Sequence, residues 1–570
     1  MERKRVLIVG GVAGGASCAA RLRRLDEQAE IVVFDKGPYA SFANCGLPYY
    51  VGDVISDEKR LLVATPELFR TRFNIEVRTE QEVTGIDRPS RQVEVKDLCT
   101  GRVYHEAYDA LVLAPGATPV RPPLPGIDLS GIFTLRTIPD SRRIRAWIEE
   151  TAARKAVIVG GGFIGLEMAE NLARRGLGVS IVEMSDQVMP SLDREMAEYV
   201  CAHLIANRVP VHLGDAVACF EGVDGRVTSV VNRSGAALAA DMVILSIGVK
   251  PETKLASDAE LELGPRGGIR VDESMRTSDH HIWAVGDAVE VHDFITGEAC
   301  VVPLAGPANR QGRIAADAIC GRPARFRGVQ ATAVCGVFGL TVATTGITER
   351  RLVLAGNTDY YAVYLHPGSH AGYYPGAKPI HLKLIFRKSD GLVLGAQAVG
   401  EEGVERRIDV ISLAIQRNST VFDLEEAELC YAPQFGAAKD PVNLAGMVAA
   451  NVVRGDVQLA NWASLTGTDA FLVDVREEDE FKLGAIDGAI NVPLSQLRRR
   501  VGELPRDREI WVTCGVGQRS YYAVRFLRQN GFAVRNLPGG YQTWRMWYPG
   551  GLATNPANKL HLAPVAPPEK

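Results

Sequence analysis

Two cysteines stand in short motifs whose residue types suit the making and breaking of sulfur–sulfur bonds. Cys45 lies within residues 41–49, SFANCGLPY, shortly after a glycine-rich turn. Cys514 begins the run CGVGQR over residues 514–519, near the C-terminal end of the chain. A cysteine attacks sulfur as its thiolate, which backbone N–H groups and nearby cations stabilise. The sequence therefore predicts sulfur chemistry at two separate places.

The glycine-rich turn ahead of Cys45 predicts a nucleotide site. Residues 10–15, GGVAGG, depart from the pattern G-x-G-x-x-G at Val12, but they follow an apolar run and open a helical pattern, and Asp35 ends the next apolar run. Glycine lets the backbone approach a pyrophosphate, the helix N-terminus favours its charge, and a carboxylate can bind a ribose hydroxyl. The later pair Gly286-Asp287 suits a ribityl-phosphate, which marks the ligand as FAD rather than NAD. The predicted FAD-binding residues are Gly10, Val12, Ala13, Gly14, Gly15, Asp35, Lys36, Asn44, Gly286 and Asp287.

A second turn, residues 160–165 with the sequence GGGFIG, matches the dinucleotide pattern in full. Glu183 ends the apolar run that follows its helix. A carboxylate at that place accepts hydrogen bonds from a 2′-hydroxyl and repels a 2′-phosphate, so we expect NADH rather than NADPH. The predicted NADH-binding residues are Gly160, Gly162, Phe163, Ile164, Gly165 and Glu183.

FAD together with NADH implies that electrons pass to an acceptor near Cys45. Residues 46–50 contain no cysteine, so Cys45 lacks the nearby second thiol of a dithiol pair. A lone redox thiol must exchange with an external sulfur or be oxidised to a sulfenate. We expect backbone N–H groups and the flavin ring to favour its thiolate. Cys18, Cys201 and Cys320 lie in helical patterns and are expected in the core.

These patterns predict an α/β chain with several domains. Two Rossmann-like units are expected, with the NADH unit inserted into the FAD unit, followed by an α+β domain and a small C-terminal α/β domain. The predicted divisions are an FAD-binding domain over 1–115 and 250–325, an NAD(P)H-binding domain over 116–249, a dimerisation domain over 326–451, a linker over 452–465, a C-terminal domain over 466–551 and a tail over 552–570.

Composition limits the partners and the compartment. The 570 residues carry a formal net charge of −4, which does not indicate binding to nucleic acid or to an anionic membrane. No apolar run is long enough for a membrane helix, and the N-terminus runs straight into a strand pattern. Ten cysteines without a Cys-x-x-Cys pair are typical of a reducing compartment, so we expect a cytoplasmic protein. No spacing of residues indicates a metal site.

The stretch 41–49, the glycine-rich start and the stretch 429–433, LCYAP, resemble the coenzyme A-disulfide reductases. This family belongs to the flavoprotein pyridine nucleotide-disulfide oxidoreductases with a single active-site cysteine. The resemblance covers about residues 4–450. It implies FAD, an NAD(P)H site, a C-terminal dimerisation domain, a homodimer, and a mixed disulfide between Cys45 and coenzyme A.

The same resemblance implies roles for side chains outside the two turns. Tyr373 and Tyr431 correspond to tyrosines that reach the partner subunit's active site in the family, where a phenol can donate a proton to a leaving sulfur. Asn309 stands where some relatives have histidine. The positions that match coenzyme A contacts are Ser17, Arg21, Arg24, Ser41, Asn44 and Lys439.

Residues 466–551 resemble a rhodanese domain. The loop from Cys514 to Arg519 has six residues, as in sulfurtransferases, whereas phosphatase relatives have seven. Its N–H groups are expected to surround the cysteine and stabilise a persulfide anion, while Arg519 adds a positive charge or holds the loop. Ala485 stands where the family usually has histidine.

The whole pattern predicts an NADH-dependent flavoprotein that reduces persulfide, polysulfide, coenzyme A persulfide or coenzyme A disulfide. Cys45 and Cys514, with Tyr373, Tyr431 and Arg519, are the predicted catalytic residues. Two alternatives stay open. One is an NADH oxidase or peroxidase that uses a sulfenate of Cys45, and the other is a sulfur-trafficking protein in which Cys514 passes sulfur to a protein partner.

Overall fold

The computed structural model describes residues 4–549. These residues form two compact units, one of residues 4–184 and 215–331 and the other of residues 185–214 and 332–549. The predicted tail over 552–570 lies outside the described residues. The helices are α1 (Ala13–Leu25), α2 (Leu47–Val51), α3 (Pro66–Phe73), α4 (Ile138–Thr151), α5 (Phe163–Arg174), α6 (Arg194–Ala206), α7 (Lys254–Asp258), α8 (Ala305–Ile319), α9 (Glu349–Leu354), α10 (Val404–Gln416), α11 (Val421–Glu425), α12 (Pro441–Val453), α13 (Glu478–Lys482), α14 (Leu494–Arg500), α15 (Gln518–Gln529) and α16 (Gly540–Trp547).

The strands of the first half of the chain are β1 (Arg5–Val9), β2 (Glu30–Asp35), β3 (Ser41–Phe42), β4 (Leu62–Ala64), β5 (Glu76–Thr79), β6 (Gln81–Asp87), β7 (Gln92–Asp97), β8 (Val103–Ala107), β9 (Ala110–Leu113), β10 (Ala117–Pro119), β11 (Ile132–Phe133), β12 (Lys155–Val159), β13 (Gly178–Glu183), β14 (Val211–Leu213), β15 (Val217–Val223), β16 (Arg226–Asn232), β17 (Ala237–Ala239), β18 (Met242–Leu245), β19 (Val249–Pro251), β20 (Ile269–Arg270), β21 (Ile282–Ala284), β22 (Val289–His292) and β23 (Ala299–Cys300). Those of the second half are β24 (Ala333–Val337), β25 (Leu340–Gly346), β26 (Tyr360–Leu365), β27 (Ile380–Arg387), β28 (Val393–Gly400), β29 (Phe471–Asp474), β30 (Ile490–Asn491), β31 (Ile510–Thr513) and β32 (Val534–Asn536).

The first unit contains two parallel sheets of the doubly wound kind. One has the strand order β21-β9-β1-β2-β5, and its central strands are largely apolar because both faces are covered. Helix α1 packs on β1 and β2, and the antiparallel strands β6 and β7 add Val83, Val93 and Val95 to the same core. The other pairs β11, β18, β12 and β13 in parallel. Strands β11 to β18 fall between β9 and β21 in the chain, so the second nucleotide fold is inserted into the first. This insertion and both Rossmann-like folds confirm the predicted fold class.

The second unit contains an antiparallel sheet and a small parallel sheet. The antiparallel sheet has the order β24-β25-β28-β27-β26, and α10 packs on it through β25 and β28. The parallel sheet has the order β30-β29-β31-β32 and belongs to the C-terminal α/β domain. Helix α6, which precedes β14 in the chain, is part of this unit.

The segment predicted as a linker is packed on the C-terminal domain. Val457, Ala460 and Trp462 are buried. The Trp462 indole donates to the carbonyl of Pro538 at 2.9 Å, and the N–H of Asn536 donates to the carbonyl of Gln458. The segment is therefore part of this domain's core rather than a free connection. The boundaries of the other predicted domains stay a prediction.

Candidate active sites

The first glycine-rich turn has the geometry that requires glycine. Gly10 has φ +97°, and a Cβ there would lie 2.1 Å from the carbonyl oxygen of Ala114. A Cβ at Gly15 would lie 1.9 Å from the carbonyl oxygen of Gly10. Val12 is the N-cap of α1 with φ −82°, which any residue adopts, so its departure from the pattern leaves the turn intact.

Asp35 is held against this turn by two backbone hydrogen bonds. Its Oδ2 accepts from the N–H of Gly11 at 2.9 Å and its Oδ1 from that of Gly37 at 2.8 Å. Burial raises the pKa of Asp35, and the same two hydrogen bonds oppose the shift. Lys36, the next residue, is exposed.

The pair Gly286-Asp287 lies at the end of β21 in the same sheet. Gly286 has φ +86° and its N–H donates to the side chain of Gln311 at 2.7 Å. Burial raises the pKa of Asp287, while the nearby Arg136 opposes the shift. Gly14, on α1, lies close to Val285, which precedes this pair: a Cβ at Gly14 would approach the Val285 side chain to 2.9 Å.

The second glycine-rich turn repeats the first almost position by position. Gly160 has φ +106°, and a Cβ there would lie 2.5 Å from the carbonyl oxygen of Ser246. A Cβ at Gly165 would lie 2.1 Å from the carbonyl oxygen of Gly160. Gly162 differs, because a Cβ there would meet nothing within 4 Å. The space beside Gly162 is therefore open, at the position where the pattern requires a pyrophosphate to approach the backbone.

Glu183 takes the place in the second turn that Asp35 has in the first. The N–H of Gly161 donates to Glu183 Oε2 at 2.8 Å. Phe163 and Ile164 begin α5, and Ile164 is exposed at the helix end. No side chain caps the N-terminus of α1 or α5. Helix ends of this kind present first-turn N–H groups to phosphate oxygens.

Cys45 is exposed and lies in a turn of 3₁₀ helix, Asn44–Gly46, that runs directly into α2. Leu47 and Pro48 are buried and anchor this segment. Partial burial raises the pKa of Cys45, with further contributions from Glu167 and Asp287. The thiolate that the sequence leads us to expect is thus not favoured by the protein groups alone, because burial first and then the charges of Glu167 and Asp287 raise the thiol pKa against the backbone hydrogen bond.

Glu167 connects the Cys45 segment to α5. The Tyr49 hydroxyl donates to Glu167 Oε1 at 3.3 Å. Burial raises the pKa of Glu167, and the Tyr49 hydrogen bond opposes the shift. A Cβ at Gly52 would lie 2.0 Å from the Asn171 side chain, so the end of α2 is pressed onto α5. The motif did not reveal Glu167, because it lies over 100 residues away in the sequence.

The predicted coenzyme A residues of α1 are largely engaged within the chain. The Ser17 hydroxyl contacts the side chain of Asn309, which stands where some relatives have histidine. Arg21 forms an ion pair of 2.7 Å with Asp317 on α8, whereas Arg24 is exposed. Both contacts join α1 to α8.

The remaining predicted positions divide between buried and exposed. Ser41 is buried in β3, while Asn44 is exposed beside Cys45. Tyr373 is 76% exposed and Tyr431 is 48% exposed, and their hydroxyl oxygens lie 2.6 Å apart. The hydrogen bond with Tyr431 raises the pKa of Tyr373. Lys439 is exposed. The structure therefore brings the two predicted tyrosines together on one surface.

The Cys514 sulfur lies at the base of a tight loop between β31 and α15. The side chain is fully buried, and the N–H of Gly517 points at Sγ from 3.1 Å. The Ser520 hydroxyl lies 3.5 Å from the same sulfur. Gly517 has φ +94°, and a Cβ at Gly540 would lie 2.3 Å from the Cys514 carbonyl oxygen. The Cys514 thiol donates to the Ser520 hydroxyl, which itself donates to the Gly517 carbonyl at 3.0 Å. The Gly517 N–H is the donor that stabilises an anionic sulfur.

Arg519 is the last residue of the loop, and its side chain forms an ion pair with Glu480. Its guanidinium binds both carboxylate oxygens of Glu480, at 2.6 and 2.7 Å. A second arginine, Arg476, forms a buried ion pair with Asp474 and stacks over the ring of Tyr541. The Arg519–Glu480 ion pair ties the last residue of the loop to α13.

A cluster that the sequence did not predict lies in the second unit. Asp193, Glu195 and Glu349 bring their oxygens within 4.8 Å of one another, a spacing that could hold a cation. The ammonium of the fully buried Lys383 lies among them. Burial alone lowers the pKa of Lys383, but Asp193 and Glu195 raise it well above the ordinary value. Lysine supplies the positive charge here.

Two half-buried histidines join the antiparallel sheet to the C-terminal domain. His366 Nδ1 lies 2.9 Å from His381 Nδ1, and His366 Nε2 lies 2.9 Å from the Thr543 hydroxyl on α16. His381 stacks on Tyr199 of α6. Burial lowers the pKa of His381 to about 4 and that of His366 well below its ordinary value.

Comparisons with known proteins agree with this geometry. Three family models match the chain. The model of the pyridine nucleotide-disulphide oxidoreductases matches residues 4–312, the model of the dimerisation domain of the same family matches residues 332–440, and the model of the rhodanese-like domain matches residues 458–546. The coenzyme A disulfide reductase of Staphylococcus epidermidis is 36% identical over 446 residues, 78% of this chain and 99% of that protein.

Solved structures extend the likeness to the C-terminal domain. The reduced CoADR-RHD of Bacillus anthracis is 47% identical, with a TM-score of 0.94 over 96% of this chain and 99% of that chain. The NAD-dependent persulfide reductase from A. fulgidus is 40% identical, with a TM-score of 0.89 over 95% of this chain and 100% of that chain. The water-forming NADH oxidase from Lactobacillus brevis is 25% identical, with a TM-score of 0.75 over 79% of this chain and 99% of that chain.

The chain belongs to the pyridine nucleotide-disulphide oxidoreductase family of FAD- and NAD(P)H-dependent enzymes. It carries the dimerisation domain of that family and, after it, a rhodanese-like domain. The predicted resemblance and enzyme class are confirmed. The two glycine turns fit FAD and a pyridine nucleotide, because each faces an uncapped helix end and each has a carboxylate bonded to its second glycine. Among residues 4–549, no helix is long and apolar enough to cross a bilayer.

Proposed function

We propose that this chain is an NADH-dependent reductase of persulfides, polysulfide or coenzyme A persulfide, with coenzyme A disulfide as a slower substrate. The observation that carries the proposal is the pair of sulfur sites: an exposed lone thiol, Cys45, in the nucleotide-binding unit, and a caged thiol, Cys514, in a rhodanese-like loop. The similarity to a coenzyme A disulfide reductase and to a persulfide reductase supports it.

The proposed step at Cys45 is an exchange of sulfur–sulfur bonds. The Cys45 thiolate attacks the inner sulfur of a persulfide RSSH, the one bonded to R. The S–S bond of the persulfide breaks and hydrosulfide leaves with the electron pair. The product is a mixed disulfide, Cys45–S–S–R. Two electrons and the accompanying protons then release RSH and restore Cys45. Bound FAD supplies the two-electron link between NADH and that disulfide.

The carboxylates near Cys45 help to define the pH range of this step. Burial, followed by Glu167 and Asp287, raises the pKa of Cys45, so these protein groups favour the thiol over the thiolate. Glu167, whose pKa burial raises, is proposed as the group that accepts the thiol proton. Tyr49 orients that carboxylate from 3.3 Å.

The preference for NADH is also part of the proposal. Glu183 lies at the end of β13 and is oriented by the N–H of Gly161. A carboxylate in that position binds a ribose diol and repels a 2′-phosphate.

The residues proposed to contact coenzyme A are Ser17, Arg21, Arg24, Ser41, Asn44 and Lys439. Arg21 would contact the ligand either after leaving Asp317 or while still paired with it. Of the proposed residues, Arg24, Asn44 and Lys439 are exposed and accessible to a ligand. The proposed enzyme is a cytoplasmic homodimer in which Tyr373 and Tyr431 reach the partner subunit's active site. The paired hydroxyls could donate a proton to a leaving sulfur.

Cys514 is proposed to carry sulfane sulfur and to pass it to coenzyme A bound near Cys45. The sulfur would travel on the pantetheine arm as a coenzyme A persulfide. If Cys514→Ser leaves turnover with every persulfide donor intact, this shuttle is wrong.

The test of the reductase is anaerobic NADH oxidation with polysulfide or coenzyme A persulfide, with sulfide quantified. Wild type is expected to release sulfide rapidly, and Cys45→Ser to lose that activity. Cys99→Ser is the matched control, because Cys99 is also exposed but lies outside the motif. Equal sulfide release by wild type and Cys45→Ser would contradict the proposal.

An NADH oxidase or peroxidase is the second candidate, because a lone exposed thiol can cycle through a sulfenate. The likeness to the water-forming NADH oxidase of Lactobacillus brevis favours it, whereas the rhodanese-like domain counts against it. Rapid NADH loss only when oxygen or peroxide is admitted, with negligible sulfide, would select this candidate.

A further inference from the structure

The rim of the sulfur loop carries an ion pair that the loop motif does not encode. Glu480, on α13, holds Arg519 through two parallel hydrogen bonds. The pair lies directly beside the loop: a Cβ at Gly515 would be 3.3 Å from Arg519 Nη2 and 4.0 Å from Glu480 Oε1. A two-pronged pair of this kind has fixed geometry, and its opposite charges largely cancel.

The charges around this pair are predominantly negative. Residues 477–480 have the sequence EEDE, so four acidic side chains follow one another at the start of α13. Glu477 and Glu480 form a capping box. The nearby Arg476 is committed to Asp474 in a buried ion pair. The loop therefore offers an incoming donor an acidic rim rather than an unpaired cation.

We propose that Glu480 is a specificity-determining residue that decides which sulfur donors reach Cys514. By cancelling the charge of Arg519, it disfavours dianionic donors such as thiosulfate relative to donors of lower charge, such as organic thiosulfonates and persulfides. This inference rests on the proposed role of Cys514 as a sulfur carrier.

The physical basis is the electrostatic cost of bringing an anion to this rim. A free arginine beside a nucleophile attracts anionic donors, and a dianion gains more from it than a monoanion. The Arg519 hydrogen bond lowers the pKa of Glu480, so the carboxylate is ionised at neutral pH and the pair persists. Both side chains are partly exposed, so the effect is screened by salt.

The transfer step is the same for every donor. The Cys514 thiolate attacks the outer sulfur of thiosulfate, the S–S bond breaks, and sulfite leaves with the electron pair. The product is the Cys514 persulfide. Cyanide then attacks its outer sulfur, which gives thiocyanate and restores the thiolate. No external oxidant or reductant is needed.

The test compares thiosulfate, a dianion, with benzenethiosulfonate, a monoanion, as donors to cyanide in the full chain. We expect Glu480→Gln to raise the kcat/KM ratio of thiosulfate to benzenethiosulfonate by about threefold to tenfold. The rise should shrink at high ionic strength, which a merely structural role would not produce. Glutamine keeps an oxygen for the Glu477 N–H and is close to isosteric.

Asp479→Asn is the matched control. It removes the same charge one residue away on α13, but the Asp479 side chain is fully exposed, so solvent screens its charge, and it pairs with Lys482 rather than with Arg519. We expect its donor ratio to stay at the wild-type value. An unchanged ratio in Glu480→Gln, or an equal rise in Asp479→Asn, would overturn the inference. Glu480→Ala is a second variant for which the same rise is expected, with thermal melting to verify folding.

Failure of the proposed function gives a different result. If neither donor transfers sulfur to Cys514 in wild type or variants, followed as a mass gain of one sulfur atom, the carrier role itself is wrong and the inference falls with it. If transfer occurs with an unchanged donor ratio, only the role of Glu480 is wrong.

Discussion

The ammonium of Lys383 lies 2.8 Å from a carboxylate oxygen of Asp193, and both side chains are buried. Glu195 and Glu349 complete the cluster at 2.5 and 2.7 Å. These carboxylates begin α6 and α9, whereas Lys383 lies on β27. The cluster therefore ties two helices to the antiparallel sheet through one cation.

Replacing Lys383 by methionine should strongly destabilise the second unit. Two buried carboxylates, Asp193 and Glu195, and the half-buried Glu349 would be left without their cation. Breaking a buried ion pair in this way costs about 3–5 kcal/mol. We expect the melting temperature to fall by several degrees in calorimetry. Lys388→Met is the control: this exposed lysine directly follows the same strand and loses only surface contacts with the Thr358 carbonyl and the Tyr361 ring, so it should melt close to wild type. Equal melting of the two variants would contradict the role of the cluster.

The His366–His381 pair predicts a loss of stability in acid. Burial depresses both folded-state pKa values, to about 4 for His381. An unfolded histidine titrates at about 6.5. The stabilisation is therefore fully present above about pH 6.5 and is lost as the pH falls toward the folded values, by at most about 1.4 kcal/mol per pH unit for each histidine.

Melting temperatures measured across that pH range check this prediction. His381→Phe keeps a ring to stack on Tyr199 but cannot titrate, so its melting temperature should depend less on pH. His280→Gln alters an exposed histidine and should retain the wild-type slope. A wild-type slope in His381→Phe would show that another group is responsible.

Gly517→Ala should impair sulfur transfer at Cys514. The residue has φ +94°, its N–H donates to Cys514 Sγ, and a Cβ would approach the Gly539 nitrogen to 3.0 Å. The resulting strain displaces the N–H that stabilises the anionic sulfur, so we expect about tenfold or greater loss of kcat/KM with benzenethiosulfonate.

The matched control for this loop is Gly502→Ala. A Cβ there meets nothing within 4 Å, and the backbone does not require glycine. Its sulfur-transfer rate should equal that of wild type. The prediction fails if Gly517→Ala transfers sulfur as fast as Gly502→Ala.

Glu183→Gln should weaken the discrimination between NADH and NADPH. The amide keeps an acceptor for the Gly161 N–H but removes the charge that repels a 2′-phosphate. We expect kcat/KM for NADPH to rise by about tenfold, with a smaller change for NADH. Glu150→Gln, an exposed position on α4, should leave the ratio unchanged. A wild-type ratio in Glu183→Gln would assign the preference to other residues.

Local patterns were sufficient to predict both nucleotide folds. Gly10 and Gly160 have positive φ and lie against a neighbouring strand, so glycine is required there and the motif carries the geometry. The same holds for the Cys514 loop, where Gly517 has φ +94°. In each case the chemistry depends on residues close together in sequence.

Long-range charge pairs could not be predicted in this way. Lys383 lies 188 residues from Glu195, and a lysine in a strand usually indicates an exposed edge or face. Glu480 and Arg519 are separated by 39 residues. Glu167, which raises the pKa of Cys45, lies on α5 after the second glycine-rich turn, whereas Cys45 follows the first. Only the packed fold shows which opposite or like charges meet.

The contact between α16 and the antiparallel sheet has a consequence for how this architecture can change over evolution. On this helix the Tyr541 N–H donates to the Cys514 carbonyl at 2.7 Å, and the Thr543 hydroxyl contacts His366. The C-terminal domain therefore could not be replaced by an unrelated sulfurtransferase domain without losing these contacts. A sulfurtransferase domain taken from another protein would need a surface that fits the histidine pair. A substitution on one side of the contact between His366 and Thr543 would have to be compensated by a substitution on the other side.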